Sequence, residues 1–268
     1  MNAVDFELAL RGGVFLAVFA ALAFWERLAP ARAMRLSRRQ RWGANLGLAL
    51  VSTLVVRVIV PGSAIAVAIM AANEGWGLFN RLTPPGWVAA VASLVLLDLT
   101  VYLQHVLFHS VPLLARLHAV HHADPDFDLT TGIRFHPFEI LLSALLKLAV
   151  VAALGAPVLA VLVFEVLLNA TSMFNHANVS LPGWLEPWVR RLLVTPDMHR
   201  VHHSVIEAER NSNYGFCLSV WDRLLGTYTL APRGQLDIGL ATWRDQRTIA
   251  TLPGTLGMPF RNEERLLG

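Results

Sequence analysis

The sequence has little of several residue types that usually shape a soluble enzyme. Of its 268 residues, 15% are charged, one is cysteine and one is lysine. Soluble domains carry roughly 25% charged residues, so an ordinary soluble domain is excluded. The single Cys217 excludes an intrachain disulfide, a zinc site built from Cys-x-x-Cys pairs and c-type haem attachment. Any metal site must therefore use nitrogen and oxygen ligands.

Apolar residues are correspondingly frequent in the sequence. They make up 55% of the chain, and the mean hydropathy is +0.51. A helix needs about 20 mostly apolar residues to cross a bilayer. Residues 12–28, 43–60 and 87–108 each fit one crossing, whereas 64–72 is too short and is expected at the interface or as an extension of the second helix. Residues 138–174 fit a hairpin, with its turn at Gly155-Ala156-Pro157.

These runs predict an all-α fold, a polytopic membrane helical bundle of four to five spanning or re-entrant helices with a cytosolic histidine-rich helical cap. We expect one domain over residues 1–268, because the motifs described below tie distant segments into one site. Its parts are an N-terminal transmembrane part (about 1–97), a catalytic region (98–230) and a cytosolic tail (231–268). The first ten residues lack a basic region and include Asp5 and Glu7, which favours a retained helix over a removed signal peptide.

Five arginines follow the first apolar run, with no acidic residue among them. Basic residues near membrane ends stay cytoplasmic, so this group predicts an outside N-terminus and a cytoplasmic chain after Pro182. The same placement explains the arginine excess without nucleic-acid binding. The high arginine and alanine content suggests a GC-rich bacterial genome. We therefore expect a bacterial inner membrane, with the metal site on its cytoplasmic side. The five residues are Arg32, Arg35, Arg38, Arg39 and Arg41.

All ten histidines lie between positions 105 and 203, and eight of them form three clusters. Residues at i, i+3 and i+4 share one face of a helix, so each cluster presents its imidazoles toward one point. The predicted orientation places all the clusters on the cytoplasmic side, where they can converge. The clusters are His105-xxx-His109, His118-xx-His121-His122 and His199-xx-His202-His203, with His136 and His176 as single residues.

Eight clustered imidazoles are costly to bury without a partner, and imidazole is the commonest metal ligand in proteins. They are too many for one zinc ion, which usually takes four ligands. Two ions sharing eight to ten imidazoles fit better, and imidazole also suits iron. The pattern therefore favours a di-iron centre that activates O2 at a membrane surface.

The order and flanks of these histidines resemble the fatty acid hydroxylase/sterol desaturase superfamily of integral-membrane di-iron enzymes. The resemblance covers about positions 98 to 228. Besides the three clusters, it rests on Asp98-xxx-Tyr102, Arg134-x-His136-Pro137-x-Glu139, Asn175-His176-x-Asn178, Thr195-Pro196, Asn213-Tyr214-Gly215 and Trp221-Asp222-Arg223-xx-Gly226-Thr227.

The resemblance implies a four-helix membrane bundle with a cytosolic histidine cap, two irons, O2 as oxidant and an external electron donor. Some members carry a further histidine four residues after the position of His176, where this chain has Ser180. Asn178 acting through a water, or His136, would fill that place. The implied ligands are His105, His109, His118, His121, His122, His199, His202 and His203, with His176 as a ninth.

Carboxylates near the clusters are candidates for orienting the imidazoles, because a metal-bound histidine usually donates its other N–H to such a group. Asp222 has the alternative of pairing with Arg200 or Arg223. These candidates are Asp124, Glu139, Asp197 and Asp222.

Two ionisable residues lie within the predicted hairpin. Lys147 and Glu165 are each nine residues from Ala156 at the turn, which places them at similar depth, and an ion inside a bilayer usually faces a partner. We predict that they pair, with Asp98 as a competitor for Lys147.

The leading functional interpretation is hydroxylation of a lipid, whether fatty acyl, sterol-like or related. A desaturase shares the same iron chemistry, and an alkylglycerol-type ether monooxygenase shares the flanking motifs. A histidine-rich metal-binding membrane protein or transporter is the alternative of a different class, but it would prefer histidines along a transmembrane path. The expected partners are a lipid from the bilayer and a separate electron-donor protein, since no cytochrome b5 or ferredoxin-like segment is visible.

Overall fold

The fold is a bundle of long apolar helices with short helices gathered at one end. The computed structural model describes residues 3–60 and 62–261, and within these ranges it contains helices and loops but no β-strand. The helices are α1 (Ala3–Leu28), α2 (Arg38–Ile59), α3 (Ala64–Glu74), α4 (Leu78–Leu82), α5 (Gly86–Ser110), α6 (Pro112–His122), α7 (Pro137–Leu154), α8 (Val158–His176), α9 (Glu186–Val189), α10 (Pro196–His202), α11 (Glu207–Arg210), α12 (Val220–Leu224), α13 (Gln246–Ile249) and α14 (Leu252–Gly257).

Five stretches of the described chain are long and apolar enough to cross a membrane, which confirms the predicted all-α membrane bundle. The short run after α2 forms a separate helix, α3, that packs on α7 and α8. Pro61 before it, and the tail beyond residue 261, lie outside the described residues. The predicted hairpin is also present, as α7 and α8.

The hairpin turn depends on glycine. Gly155 adopts φ 61°, and a Cβ there would lie 2.5 Å from the Trp76 carbonyl oxygen. Gly77, at the start of α4, would place a Cβ 2.1 Å from the Gly155 nitrogen. The α3–α4 connection and the hairpin turn therefore meet backbone to backbone at this end of the bundle, called the turn end below.

The interior of the bundle lies between α3, α5 and the hairpin. Leu97 of α5 packs there with Val151, Val161 and Phe164 of the hairpin, and all four side chains are buried. On the outside, α1 packs along α8 and α2 along α7. Leucine, valine and alanine also face outward on these helices, as expected for lipid-facing surfaces.

The opposite end of the bundle, called the histidine end, is closed by the chain after α8. Trp243 and Met258 of the tail are buried against Leu48 of α2 and Ala119 of α6. The loop between α1 and α2 reaches the same end, where the Ala31 N–H donates to the Asn178 carbonyl at 2.8 Å. Several segments far apart in sequence thus surround the ends of α5, α6 and α8.

The predicted pairing of Lys147 with Glu165 is confirmed, with 2.5 Å between Nζ and Oε1. The other oxygen of Glu165 binds Arg11 of α1 at 2.7 Å, so one carboxylate joins three helices. The expectation that Asp98 competes for Lys147 is wrong. Its carboxylate accepts hydrogen bonds from the Trp221 indole N–H and from backbone N–H groups of the 217–218 segment.

Candidate metal centre

Four helices bring the histidines together at the histidine end. The last turns of α5 supply His105 and His109, α8 ends at His176, and α6 and α10 supply the remaining clusters. Thr195 caps α10 by accepting the Met198 N–H, so the helix starts one turn before its first histidine. The helical spacing puts the imidazoles of each cluster on one side of the chain, but the prediction that each cluster converges on one point is wrong. The clusters His118-xx-His121-His122 and His199-xx-His202-His203 each divide between two groups of imidazoles.

Nine imidazoles form two adjoining groups. Within each group, the potential ligand atoms all lie within 4.8 Å of one another. The groups touch where the His122 and His203 rings stack with centroids 4.4 Å apart. One group is His105, His109, His118, His122 and His202, and the other is His121, His176, His199 and His203.

Burial keeps these imidazoles neutral. Eight of the nine are at most 5% exposed, and His109 is half-buried. Among those outside the spanning helices, burial lowers the pKa of His118 to about 3, and burial together with the other imidazoles lowers the pKa of His121 and His203 well below the usual value. Neutral imidazole is the form that binds a metal.

The outward ring nitrogens are fixed by hydrogen bonds. Each Nδ1–H that donates to an oxygen sets the tautomer, so the Nε2 lone pair points into the group. Glu139 accepts from His118 at 2.7 Å, which is the contact that its predicted orienting role requires. Backbone carbonyls accept from four more: Tyr214 from His105 (2.8 Å), Arg134 from His121 (3.2 Å), Ser172 from His176 (2.7 Å) and Ser212 from His202 (2.7 Å).

This arrangement fits bound metal. The Nε2 atoms of His105 and His202 are 3.0 Å apart. The Nδ1–H of each ring donates to a carbonyl, so two Nε2 lone pairs face each other and repel unless a cation lies between them. Nε2 of His109 is buried and has no hydrogen-bond partner in the described structure. Five imidazoles exceed the four ligands that zinc usually takes, and imidazole also suits iron, copper and nickel.

Aromatic side chains pack around the histidines. Phe135 stacks on His121 with ring centroids 4.3 Å apart, and Phe127 lies 5.1 Å from His203. Tyr214 meets His109 edge-on at 5.1 Å. Sequence reasoning missed the role of these rings, although Phe135 stands between Arg134 and His136 in a matched motif and Tyr214 within Asn213-Tyr214-Gly215.

Asp222 holds the Tyr214 loop and does not contact an imidazole. It accepts the Tyr214 N–H at 2.7 Å, the Gly215 N–H at 2.9 Å and the Thr227 hydroxyl at 2.7 Å. Burial raises its pKa to about 6. Because the Tyr214 carbonyl accepts from His105, Asp222 supports the site through this loop.

The alternative pairing of Asp222 with an arginine is wrong, and so is an orienting role for Asp197. Arg200 binds Asp197 at 2.6 Å, and Arg223 donates to the Ser219 carbonyl at 3.0 Å. Asp197 also accepts from Ser180 at 3.0 Å, so its oxygens face away from the histidines.

His136 and Asn178 lie outside both groups. The Nδ1 atom of His136 accepts the Phe138 N–H, which caps α7, and its Nε2 faces the Leu256 carbonyl at 3.3 Å. Asn178 exchanges hydrogen bonds with the backbone of Arg32 at 3.0 and 2.8 Å. Both side chains bind neighbouring segments of the chain. Neither therefore replaces the further histidine ligand at the position where this chain has Ser180.

Asp124 likewise binds an arginine instead of a histidine. Burial alone would raise its pKa, but two contacts of 2.6 and 2.8 Å with the buried Arg41 hold the pKa below its usual value. The fully buried Arg134 donates to the Val120 carbonyl at 2.7 Å, while its own carbonyl orients His121. Sequence reasoning assigned Arg41 to membrane orientation only and gave Arg134 no role.

Neutral imidazoles gathered at one end of a bundle of apolar helices define an integral membrane protein with a histidine cluster that could bind metal. The chain belongs to the fatty acid hydroxylase family, whose family model matches residues 90–227. It is therefore an oxidoreductase of the hydroxylase class, as the motif resemblance predicts.

Three relatives illustrate the similarity. The chain is 30% identical to the ornithine lipid hydroxylase OlsE of Rhizobium tropici over 243 residues, 88% of this chain and 72% of that protein. It is 31% identical to rat cholesterol 25-hydroxylase over 53% of this chain and 47% of that protein. With human alkylglycerol monooxygenase it shares 26% identity over 58% of this chain and 34% of that protein. No solved structure is significantly similar to the chain.

Proposed function

We propose that the protein is a membrane-bound di-iron enzyme that uses O2 to hydroxylate a lipid. The observation that carries the proposal is the convergence of nine neutral imidazoles, eight of them buried, into groups of five and four. The proposed iron ligands are His105, His109, His118, His121, His122, His176, His199, His202 and His203.

Bound iron would supply the activation of O2 for attack on a C–H bond, and the surrounding chain would control access and geometry. Glu139 holds the His118 ring, and the Tyr214 carbonyl holds that of His105. Phe127 and Phe135 shield the centre from water. Exclusion of water favours reaction with the substrate over side reactions of the activated oxidant.

An aminolipid is the first substrate class to test. The relative that aligns over most of the chain is an ornithine lipid hydroxylase, whereas the sterol and ether-lipid relatives align over little more than half of it. Ether cleavage is the second candidate, favoured by the similarity to alkylglycerol monooxygenase across 160 residues.

We further propose that the histidine end faces the cytoplasm of a bacterial cell. The arginine-rich 32–41 segment lies at that end, since Arg41 contacts Asp124 and the Arg32 backbone contacts Asn178. Arginine retention on the cytoplasmic side supports this orientation. Electrons would then come from a separate cytoplasmic donor protein.

Comparative lipidomics tests the reaction. Cells expressing the protein should contain a lipid heavier by one oxygen than in cells lacking it, and cells expressing His202→Ala should resemble the latter. Loss of two hydrogens would assign a desaturase instead, and depletion of alkylglycerols would assign ether cleavage. Unchanged lipids together with one zinc and no iron per purified chain would overturn the proposal.

A further inference from the structure

A loop of the cap, residues 213–227, runs along α5 toward the middle of the bundle. It starts beside His105, where the Tyr214 carbonyl accepts the imidazole N–H at 2.8 Å. Farther along, the Cys217 N–H reaches Asp98 at 3.2 Å. Asp98 precedes His105 by seven residues, or about 10 Å at 1.5 Å per helical residue. The loop therefore extends from the histidines along α5 toward the turn end.

Contacts with α8 show the same depth independently. Asn175 donates to the Phe216 carbonyl at 2.5 Å, and the Thr171 hydroxyl lies 3.1 Å from the Cys217 sulfur. Thr171 precedes His176 by five residues, about 8 Å along the helix. Two apolar helices thus hold the loop at a level within their spanning segments.

A second cap segment is fastened to this loop. The Val194 N–H donates to the Cys217 carbonyl at 3.0 Å, and the Ser219 N–H donates to the Leu192 carbonyl at 2.9 Å. The Arg223 guanidinium donates to the Arg190 carbonyl at 2.8 Å. Residues 184–194 and 213–227 are therefore joined into one structural unit.

The outer surface of this unit carries several large apolar side chains. Five exposed side chains form what we call the inserted edge: Trp184 (74% exposed), Trp188 (62%), Leu192 (57%), Leu224 (73%) and Leu225 (53%). Large exposed apolar patches mark interaction sites, and tryptophan favours the boundary between lipid headgroups and acyl chains.

Two arginines flank the inserted edge, each stacked on an aromatic ring. The Arg191 guanidinium carbon is 4.3 Å from the centroid of Trp188, and that of Arg223 is 4.1 Å from the centroid of Tyr228. The nearby Glu186 already binds Arg190 at 2.5 Å. A net positive charge therefore remains beside the apolar surface, which complements anionic lipid headgroups.

We propose that the inserted edge is a lipid-binding surface embedded in the leaflet at the histidine end, where Arg191 and Arg223 bind the phosphate of an anionic phospholipid. Its tryptophans and leucines lie among the upper acyl chains. This inference rests on the membrane bundle alone and is independent of the metal and of the proposed reaction.

Tryptophan quenching in lipid nanodiscs tests the proposal. The purified holoprotein is reconstituted with brominated phosphatidylglycerol or brominated phosphatidylcholine, and the quenching of its fluorescence is compared. Trp188→Phe should remove a bromine-quenched component that aqueous iodide does not reach. In mixed bilayers, Arg191→Gln and Arg223→Gln should each weaken the preference for phosphatidylglycerol about five-fold.

Arg233→Gln is the matched control, because it removes the same charge from an exposed cap arginine outside the inserted edge. It should leave the lipid preference unchanged, and all variants should retain the parent's iron content. Quenching of Trp188 by iodide but not by bromine would place the edge in water and overturn the proposal. Protection of Trp188 from both quenchers, together with a doubled particle mass, would show that a second copy of the chain covers the inserted edge. That result would also overturn the proposal.

Discussion

Glu139 Oε1 lies 2.7 Å from Nδ1 of His118, which fastens the first turn of α7 to the middle of α6. Both side chains are at most 5% exposed. A carboxylate in this position fixes the orientation of the imidazole and increases its strength as a ligand. Among the four acidic residues that the sequence offered for this task, the structure places only Glu139 against a histidine.

Glu139→Gln should therefore weaken iron binding while the bundle stays folded. Mutation of such a partner typically costs 10–100-fold in metal affinity, and we expect a loss of about 10-fold here, because the amide oxygen of glutamine still accepts a hydrogen bond but more weakly than a carboxylate. Titration of the reconstituted protein with a calibrated iron chelator measures it.

Asp197→Asn is the control for that experiment. It removes a carboxylate close to a histidine cluster in sequence, but one that binds Arg200. Its iron affinity should match the parent's. An equal loss of iron affinity in both variants would mean that general destabilisation, and not the loss of the contact with His118, causes the weaker iron binding.

Protein purified from iron-replete cells should contain about two irons per chain, because the two imidazole groups exceed the needs of one ion. His121→Ala and His202→Ala each remove a ligand from a different group and should lose iron. His136→Ala should retain it, because this imidazole contacts α7 and the Leu256 carbonyl instead. Elemental analysis decides, and iron loss in His136→Ala alone would contradict the assignment.

The histidine clusters and the hairpin were predictable because their information is local. The i, i+3, i+4 spacing fixes which face of a helix carries the imidazoles, whatever the helix packs against. In the same way, equal distances from Ala156 predicted the contact between Lys147 and Glu165. Both predictions require only the geometry of single helices and one turn.

The support around the site was not predictable in this way, because it depends on contacts between distant segments. Asp124 lies close to a histidine cluster in sequence, yet it binds Arg41, which is 83 positions away in the chain. His136 lies within a matched motif, but the tail brings the Leu256 carbonyl to it. Nearness in sequence therefore does not determine the partner of a carboxylate or an imidazole. The partner depends on which segments pack together in the folded chain.

Glu165→Gln should destabilise the protein in detergent more than Lys147→Met. The first change removes the carboxylate that Arg11 and Lys147 share, whereas the second leaves Glu165 bound to Arg11. Breaking a fully buried ion pair from one side costs about 3–5 kcal/mol, and we expect a smaller cost here because the Lys147 and Arg11 side chains are 25% and 31% exposed. Thermal unfolding of the single variants measures the effect.

The double variant Lys147→Met/Glu165→Gln provides the control for that pair. It should be more stable than Glu165→Gln alone, since it also removes one of the cations left without the carboxylate. Simple addition of the two single effects would show that the residues do not interact.

A reporter fused after residue 268 should be active in the cytoplasm, because the arginine-rich 32–41 segment retains the histidine end there. A second reporter inserted after the exposed Gly62 should be active outside, since α2 runs from the histidine end toward the turn end. Paired fusions of alkaline phosphatase and green fluorescent protein measure both positions. Activity of both sites on the same side would contradict the orientation.

Cys217 should resist alkylation in the folded protein. It is 9% exposed, and burial, with the nearby Asp98 carboxylate, raises the pKa of its thiol. The thiolate is the reactive form, so a raised pKa keeps the neutral, unreactive thiol at pH 8 and above. Because the chain has one cysteine, iodoacetamide labelling followed by intact-mass measurement reports on this site alone.

Labelling at pH 8 should be slower than in protein unfolded by detergent by on the order of 100-fold, and it should stay slow at pH 9, above the ordinary thiol pKa of about 8.5. Asp98→Asn removes the carboxylate that raises the thiol pKa and weakens the anchor of the 217–218 segment, so labelling should become faster. Asp197→Asn, on a different part of the cap, should have no effect. Rapid labelling of the folded parent would show that the loop does not lie between α5 and α8.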